Sequence, residues 1–546
     1  MSRFVNRLTC AMQDEYTQAG FWHDDTFHDI LARNAACFPD REVLYDRRQR
    51  VTYGELVQRI DAVAARLQNA GVCEGDIITI QLPNWIDFAC AFFAVERLGA
   101  IAIQVSADFR EHEIEFILQF SQSVAFICAR EFLGFQYLPM IASLRSRLPQ
   151  LRFVACTEQT DDASIVALED AIWGREYSTD LQPVLMGAND VYRMAFTSGT
   201  TGNPKAVIHN HNTTLSASRI QNHDLGIAKG DVFLLYLPLG LNWGYLALLQ
   251  TIIAGARAVL LDRFTAEDAL SLIDTERVTY IPTAPASIIA MLNAPELAQA
   301  DLTSLRLVVS GGASCPVETI REYRQKMKGH FIELYGMLES GFHAYTRASD
   351  DPEAVSGTVG KTASGLGLRI LDDNNNDVAN GEEGEIAGLG PSIHLGYHDN
   401  PAANAAAFTA DGWYRTGDLG FLDAAGNLVI SGRSKEIINR GGKKFHPREV
   451  EEILYTHPKV QHAAIVGVHD ERLGERNCLC VILRPGQCVT SEELLDMLRG
   501  RVATYKLPES FHIVDELPFT PSGKLQRHRL TQWIEGVEAK SSAPGG

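Results

Sequence analysis

The chain has no cysteine pair in C-x-x-C spacing. Its ten cysteines are scattered (Cys10, Cys37, Cys73, Cys90, Cys128, Cys156, Cys315, Cys478, Cys480 and Cys488), which disfavours a zinc ribbon or a disulfide framework and fits reduced thiols. Long hydrophobic runs are missing too. Phe88–Val95 is stopped by Glu96-Arg97, far short of the roughly 20 apolar residues of a bilayer span. Met1-Ser2-Arg3-Phe4-Val5-Asn6-Arg7 lacks the apolar centre of a signal peptide, so a cytoplasmic protein without a membrane span is expected. Positive charge is in deficit, with 49 Lys and Arg against 68 Asp and Glu for a net charge of −19. That balance argues against a nucleic-acid or anionic-membrane surface, although the local stretch Arg440-Gly441-Gly442-Lys443-Lys444 can still meet an anionic cofactor.

What the chain does have is enough apolar residue, 46% of 546, to fill two or more cores. Between Thr52 and Val105 a helix-period stretch (Leu56, Ile60, Val63, Leu67) alternates with strand-like runs at Ile77–Ile80 and Ala100–Ile103, the rhythm of β–α units on a parallel sheet. The rhythm returns from Val232 to Ser310, with strands predicted at Val259–Leu261, Tyr280-Ile281 and Leu305–Val309 and a helix over Ala266–Thr275. Turn residues Asp372–Asp377 between Leu368–Leu371 and Gly384–Ile386 suggest a small β-barrel-like region. Beyond Gly432 the order helix (447–455), strand (463–468), strand (479–483), helix (491–498) predicts a separate small α+β module. The boundary falls near Ser434-Lys435, and Ser541–Gly546 is expected to be a frayed tail. The fold class is therefore α/β, with a large N-terminal domain (1–433) of two β–α layered subdomains plus the β-barrel-like subdomain, then a small α+β C-terminal domain (434–546).

The densest chemical signal is Thr197-Ser198-Gly199-Thr200-Thr201-Gly202-Asn203-Pro204-Lys205. Its glycines let the backbone approach an anion, and its hydroxyls and ammonium add donors for the same phosphate oxygens. It is not a Walker A loop, because only two residues separate Gly199 from Gly202 and the lysine follows Asn203-Pro204. Further along stand Gly311-Gly312-Ala313, Tyr335-Gly336-Met337-Leu338-Glu339, Tyr414-Arg415-Thr416-Gly417-Asp418, Gly432-Arg433-Ser434-Lys435 and Pro521-Ser522-Gly523-Lys524.

In this order the segments resemble the adenylate-forming superfamily of acyl-CoA synthetases, peptide-synthetase adenylation domains and firefly-type luciferases, over nearly the whole chain. The resemblance implies that Thr197, Ser198, Gly199, Thr200, Thr201, Gly202 and Lys205 hold the β- and γ-phosphates of ATP. Glu339 would help hold Mg²⁺, a hard cation suited to carboxylate and phosphate oxygens. Tyr335 would offer its face to adenine, with Gly336 beside it, while Gly311, Gly312 and Ala313 leave room for the base and the acyl group. Asp418 would accept from both ribose hydroxyls, assisted by Arg433. Lys524 would bridge the carboxylate and α-phosphate during adenylation, making it the principal catalytic residue together with Glu339 and Lys205. A mobile small domain would turn about Lys435, and Gly441 and Gly442 would line a tunnel for the pantetheine of coenzyme A. Read alone, Tyr335 would be a core aromatic, Glu339 a solvated carboxylate and Gly441-Gly442 a simple turn.

Three positions depart from the commonest family forms: Ala206 after the loop lysine, Leu338 where threonine is frequent, and Leu241 where histidine is frequent. Losing the threonine hydroxyl removes one hydrogen bond, about 0.5–1.5 kcal/mol. Leu241 beside Asn242 and Trp243, with Met337 and Leu338, describes a substrate pocket suited to an aryl, alicyclic or otherwise bulky acid. The expected activity is an ATP- and Mg²⁺-dependent acid:CoA ligase passing through acyl-AMP, acting as a monomer or homodimer on small molecules. Two alternatives stay open: a stand-alone aryl- or amino-acid-adenylating enzyme that loads a carrier-protein pantetheine, and a nucleotide-binding regulatory protein with weakened catalysis.

Overall fold

The computed structural model describes residues 4, 6–175, 180–197, 204–353, 355–433, 436–470, 472–520 and 524–542. Two large sheets carry the N-terminal part. The eight-stranded sheet runs, in spatial order, Gly396–Tyr397, Ala206–Asn210, Val191–Phe196, Ile101–Val105, Ile77–Gln81, Ala125–Cys128, Phe153–Cys156, Ile165–Ala167. From Val191–Phe196 to Ile165–Ala167 every neighbour is parallel. Ile77–Gln81 and Ile101–Val105 are buried along their whole length, as strands covered on both faces must be.

The second sheet has nine strands in the order Lys361–Thr362, Gly341–Tyr345, His330–Met337, Leu307–Ser310, Tyr280–Thr283, Val232–Leu235, Arg257–Leu260, Glu42–Tyr45, Arg50–Thr52. Two of its strands, Glu42–Tyr45 and Arg50–Thr52, precede every strand of the first sheet in sequence, so the chain starts in one layer and crosses to the other. The crossing helix, Tyr53–Asn69, begins at a capping box in which Thr52 and Glu55 satisfy each other's backbone N–H groups. It buries Leu56, Ile60, Val63 and Leu67 against Ile86–Arg97, a helix sequestered on nearly all sides. The predicted helix at Ala266–Thr275 forms over those residues, because Thr265 accepts from the Asp268 N–H at its start.

The β-barrel-like region is an antiparallel sheet in the order Gly367–Leu371, Gly384–Leu389, Tyr414–Leu422, Leu428–Arg433. The sheet itself is open. Backbone bonds from Val359 to Leu428 and from Leu428 to Gly360 tie its last strand to the nine-stranded layer, and the strands wrap a small core of Tyr335, Ala344, Val359, Ile370, Ile386 and Leu428.

The C-terminal part folds on its own sheet. Val460–Asp470 and Gly474–Leu483 pair antiparallel, the hairpin Ile438–Arg440/Lys443–Phe445 joins one edge, and Ser510–Ile513 adds a parallel strand. Helices Arg448–Tyr455 and Ser491–Leu498 cover one face and Arg527–Ser542 the other. This last helix runs two residues into the segment expected to fray. All ten cysteines are free thiols, and no helix among the described residues is long and apolar enough to cross a membrane.

Candidate active site

A cleft of about 1750 Å³ opens where the carboxyl ends of the strands in both large sheets meet the small domain, the position at which open α/β sheets bind ligands. Strand Val191–Phe196 delivers Thr197 to its rim and Ala206–Asn210 leaves from Lys205. The Thr197 N–H donates to the Lys205 carbonyl at 3.0 Å and the Lys205 N–H to Thr197 Oγ1 at 3.1 Å, so the two ends of the segment are held together. Ser198, Gly199, Thr200, Thr201 and Gly202 lie outside the described residues, as does Lys435. The Lys205 ammonium sits 4.6 Å from the centre of the Tyr397 ring, whose hydroxyl donates to Glu339 Oε1 at 3.1 Å. Burial pushes the Glu339 carboxyl up from its ordinary value, against a backbone hydrogen bond, Tyr397 and Lys205.

Across the cleft, Asp418 is nearly buried and held from two sides. The Tyr335 hydroxyl donates to its Oδ2 at 2.8 Å and Arg433 Nε lies 3.0 Å from its Oδ1. Its strand neighbour Thr416 accepts from the Asp418 N–H at 3.1 Å. From the small domain Lys524 enters the same space; its N–H donates to Thr520 Oγ1 at 2.9 Å and its carbonyl accepts from the Thr520 N–H at 2.7 Å. Burial, then the nearby Arg433, pull its ammonium down to about 8, while Asp418, Glu436 and Glu339 oppose the fall.

The third wall is apolar with a polar corner. Leu241 precedes the helix Asn242–Ile253 and lines the cleft with Asn242, Trp243, Met337 and Leu338. Asn242 Oδ1 accepts from Arg193 at 2.7 Å and its Nδ2 reaches the Met337 carbonyl at 3.4 Å, while His209 Nε2 bonds the Leu338 carbonyl at 2.9 Å. Residues of the eight-stranded layer thereby hold the segment that carries Glu339, which belongs to the other layer.

Sequence comparison agrees with this geometry. The AMP-binding enzyme family matches residues 31–398, and the AMP-binding enzyme C-terminal domain matches 449–524. The chain belongs to the AMP-binding, adenylate-forming enzymes. It is 34% identical to the medium-chain fatty-acid–CoA ligase of Escherichia coli (strain K12) over 525 residues, covering 95% of this chain and 92% of that one. With the 2,3-dihydroxybenzoate-AMP ligase of Bacillus subtilis (strain 168) it shares 32% identity over 527 residues, 96% of both chains. Its fold superposes on the anthranilate CoA ligase AuaEII in complex with anthranoyl-AMP with a TM-score of 0.86 at 27% identity, over 94% of this chain and 98% of that one.

The cleft brings together Thr197, Lys205, Gly312, Ala313, Tyr335, Gly336, Glu339, Asp418, Arg433 and Lys524. Gly311 lies just behind this surface, where a Cβ would stand 2.9 Å from the Trp243 ring and 2.9 Å from the Leu334 carbonyl, so its smallness lets the indole pack close to the strand. Gly441 and Gly442 are not in the cleft wall. They form the two-residue turn of the Ile438–Phe445 hairpin with φ of 60° and 82°, a type I′ geometry that glycine adopts freely. Tyr397, Arg193 and His209 escaped the sequence reading. The one available signal was Arg193, a charge inside the apolar strand that leads into the phosphate loop.

Proposed function

We propose that this enzyme is an AMP-forming acid:CoA ligase. It joins a carboxylic acid to ATP as acyl-AMP with release of pyrophosphate, then transfers the acyl group to the thiol of CoA with release of AMP. The observation that carries the reading is the arrival of the Lys524 ammonium, from the small domain, in the space bounded by Asp418, Arg433 and Glu339 of the large one. A cation there offsets the repulsion between an attacking carboxylate and the α-phosphate. Lys205 and the segment from Thr197 hold the β- and γ-phosphates, Asp418 accepts from the ribose hydroxyls, and Tyr335 and Gly336 border the adenine. Asn242, Trp243, Met337 and Leu338 enclose the acid, which is aryl, alicyclic or similarly bulky.

Glu339 fits a magnesium site of the kind that takes one carboxylate and completes its shell with phosphate oxygens and water. Its Oε1 is engaged by Tyr397 and its charge is poorly solvated, so a cation is the natural complement. Mg²⁺ bound there would neutralise phosphate charge. No group of three or more His, Cys, Asp or Glu among the described residues forms a metal cage, consistent with a cation that arrives with the nucleotide. The boundary between 433 and 434 separates the two domains, and Lys435 is the pivot about which the small one turns to admit CoA past Gly441-Gly442.

The 2,3-dihydroxybenzoate-AMP ligase among the relatives supports a second reading, in which a carrier-protein pantetheine takes the acyl group. Retention of Lys205, Glu339, Asp418 and Lys524 in one cleft weighs against a purely regulatory nucleotide binder. The test is a panel of aryl, alicyclic and medium-chain acids with ATP and Mg²⁺, scored for pyrophosphate release and for CoA thioester. Both products are expected; pyrophosphate without thioester would favour carrier loading, and no pyrophosphate with any acid would overturn the adenylation reading.

A further inference from the structure

Lys205 and Glu339 come from different layers, and one stretch of chain, residues 393–398, ties them together. The His394 N–H donates to the Glu339 carbonyl at 2.8 Å and the Tyr397 hydroxyl to Glu339 Oε1 at 3.1 Å, so this glutamate is held at its backbone and at its carboxyl. A hydroxyl has one hydrogen to give, so Tyr397 accepts from the Tyr414 hydroxyl, 3.2 Å away. The Leu395 and His398 N–H groups donate to the Ile208 and Ala206 carbonyls at 3.0 and 2.8 Å, on the strand that leaves from Lys205. Gly396–Tyr397 is the last strand of its sheet, and among the described residues no further strand flanks it.

One residue of the N-terminal segment takes that place. Three consecutive carbonyls accept from Arg7: Ile393 from Nη2 at 3.1 Å, His394 from Nε at 2.7 Å and Leu395 from the backbone N–H at 3.1 Å. Ile393, His394 and Leu395 are buried, so a donor lost there is poorly replaced by water. The guanidinium lies 5.2 Å from the centre of the Phe408 ring, no carboxylate pairs with it among the described residues, and burial pulls it down to about 10 against the nearby Tyr16. A cation buried without a counter-ion is costly, and packing alone would favour an apolar side chain at this position. Phe4 and Trp22 brace the same stretch, the first with its ring 5.2 Å from that of His398, the second by donating from Nε1 to the Pro391 carbonyl at 3.0 Å.

We propose that Arg7 is a positioning residue which, by fixing residues 393–395, holds Tyr397 against the Glu339 carboxyl and so sets the affinity of the site for a divalent cation bound with its nucleotide. The inference rests on the magnesium reading of Glu339 and adds to it a residue that does not line the cleft. Arg7 acts through Tyr397, whose ring also lies 4.6 Å from the Lys205 ammonium. A carboxylate binds a cation well when its own partners orient it, and losing such a partner costs about 10–100-fold in metal affinity.

The test is calorimetric binding of a non-hydrolysable ATP analogue, in saturating Mg²⁺ and again in EDTA, so that the ratio of the two affinities isolates the share of the cation. Arg7→Met should weaken binding by about tenfold in Mg²⁺ and by no more than about twofold in EDTA. Arg7→Lys, which keeps the charge and a donor, should recover part of the loss. Tyr397→Phe removes only the hydroxyl at the near end and should show the same signature, and the double variant should lose little more than either single one, as residues acting along one path do. If Arg7→Met fails to fold, Arg7→Lys against Tyr397→Phe runs the same cycle. Equal losses with and without Mg²⁺, no loss in either, or losses that add in the double variant overturn the inference and leave the magnesium reading standing. A wild-type affinity that does not respond to Mg²⁺ removes that reading, and the inference with it.

Discussion

At the scale of single residues, Lys524 carries the sharpest prediction because its environment sets opposite slopes for catalysis and for docking. Buried beside Arg433, its ammonium loses its proton near pH 8 instead of 10.5. In the proposed reaction the cation is required, so kcat/KM for pyrophosphate exchange should fall as pH rises through about 8. Docking of the small domain follows the reverse sign: between 8 and 10.5 the undocked or unfolded lysine binds more protons than the docked one, so the docked arrangement gains stability as pH rises through that window. Lys524→Ala should lower adenylation by about 10²–10³-fold, and Lys524→Arg, whose charge persists, should lack the alkaline limb. A wild-type profile flat to pH 9.5 would show that the ammonium is not required. Leu338 illustrates a milder departure at this scale: the carbonyl, not the side chain, is what His209 holds at 2.9 Å, so leucine can replace threonine without releasing the segment that presents Glu339.

At the scale of elements, the Gly441-Gly442 turn separates a structural demand from a functional one. Both residues have φ in the left-handed region and close a two-residue hairpin, and no atom lies within 4 Å of a Cβ placed on Gly442. Space is therefore available and conformation is the obstacle. Gly442→Val should destabilise the small domain by about 1–2 kcal/mol, seen as a lower melting temperature, whereas Gly441→Asn suits a type I′ turn and should leave melting unchanged. If Gly441→Asn slows thioester formation while sparing adenylation and melting, the turn also lines the CoA path; no change in either half-reaction would confine it to the hairpin. What the sequence made legible follows the same division. Elements with a strong period and a cap, such as Ala266–Thr275 after Thr265, lie where periodicity places them. Strands of three or four residues, such as Glu42–Tyr45, carry too short a pattern, and which of two sheets they join depends on pairing with Arg257–Leu260, more than 200 residues away. The candidate site was legible as an ordered set of motifs, since Thr197, Tyr335, Asp418 and Lys524, which line one cleft, each stand in a distinctive local string. Tyr397, His209 and Arg193 stand in no such string and enter only through contacts across layers.

At the scale of the whole molecule, the proposed reaction depends on how firmly the small domain rests on the large one, and among the described residues the hydrogen bonds and ion pairs between them are few. Arg484 donates to Asn293 Oδ1 at 3.1 Å and lies 3.5 Å from Glu322, His446 lies 3.2 Å from Glu383, Arg448 donates to the Ile430 carbonyl at 2.8 Å, and the Val317 N–H approaches Glu452 at 3.5 Å. Partly exposed pairs of this kind contribute about 0–1 kcal/mol each, which suits the turn of the small domain proposed above. Truncation at Arg484 should therefore change adenylation by no more than about fivefold. Charge reversal is different: Arg484→Glu sets a carboxylate against Glu322 and should slow pyrophosphate exchange markedly more than it slows thioester formation from supplied acyl-AMP, because in the proposed reaction only the first step uses the docked Lys524. The swap Arg484→Glu with Glu322→Lys should recover part of the loss. Recovery stays partial because Glu322 also pairs with Lys326 at 2.6 Å one turn along its helix, and the replacement puts two ammonium groups there. Equal slowing of both half-reactions by Arg484→Glu, with no recovery in the swap, would mean that this contact stabilises the fold and does not govern the docking step.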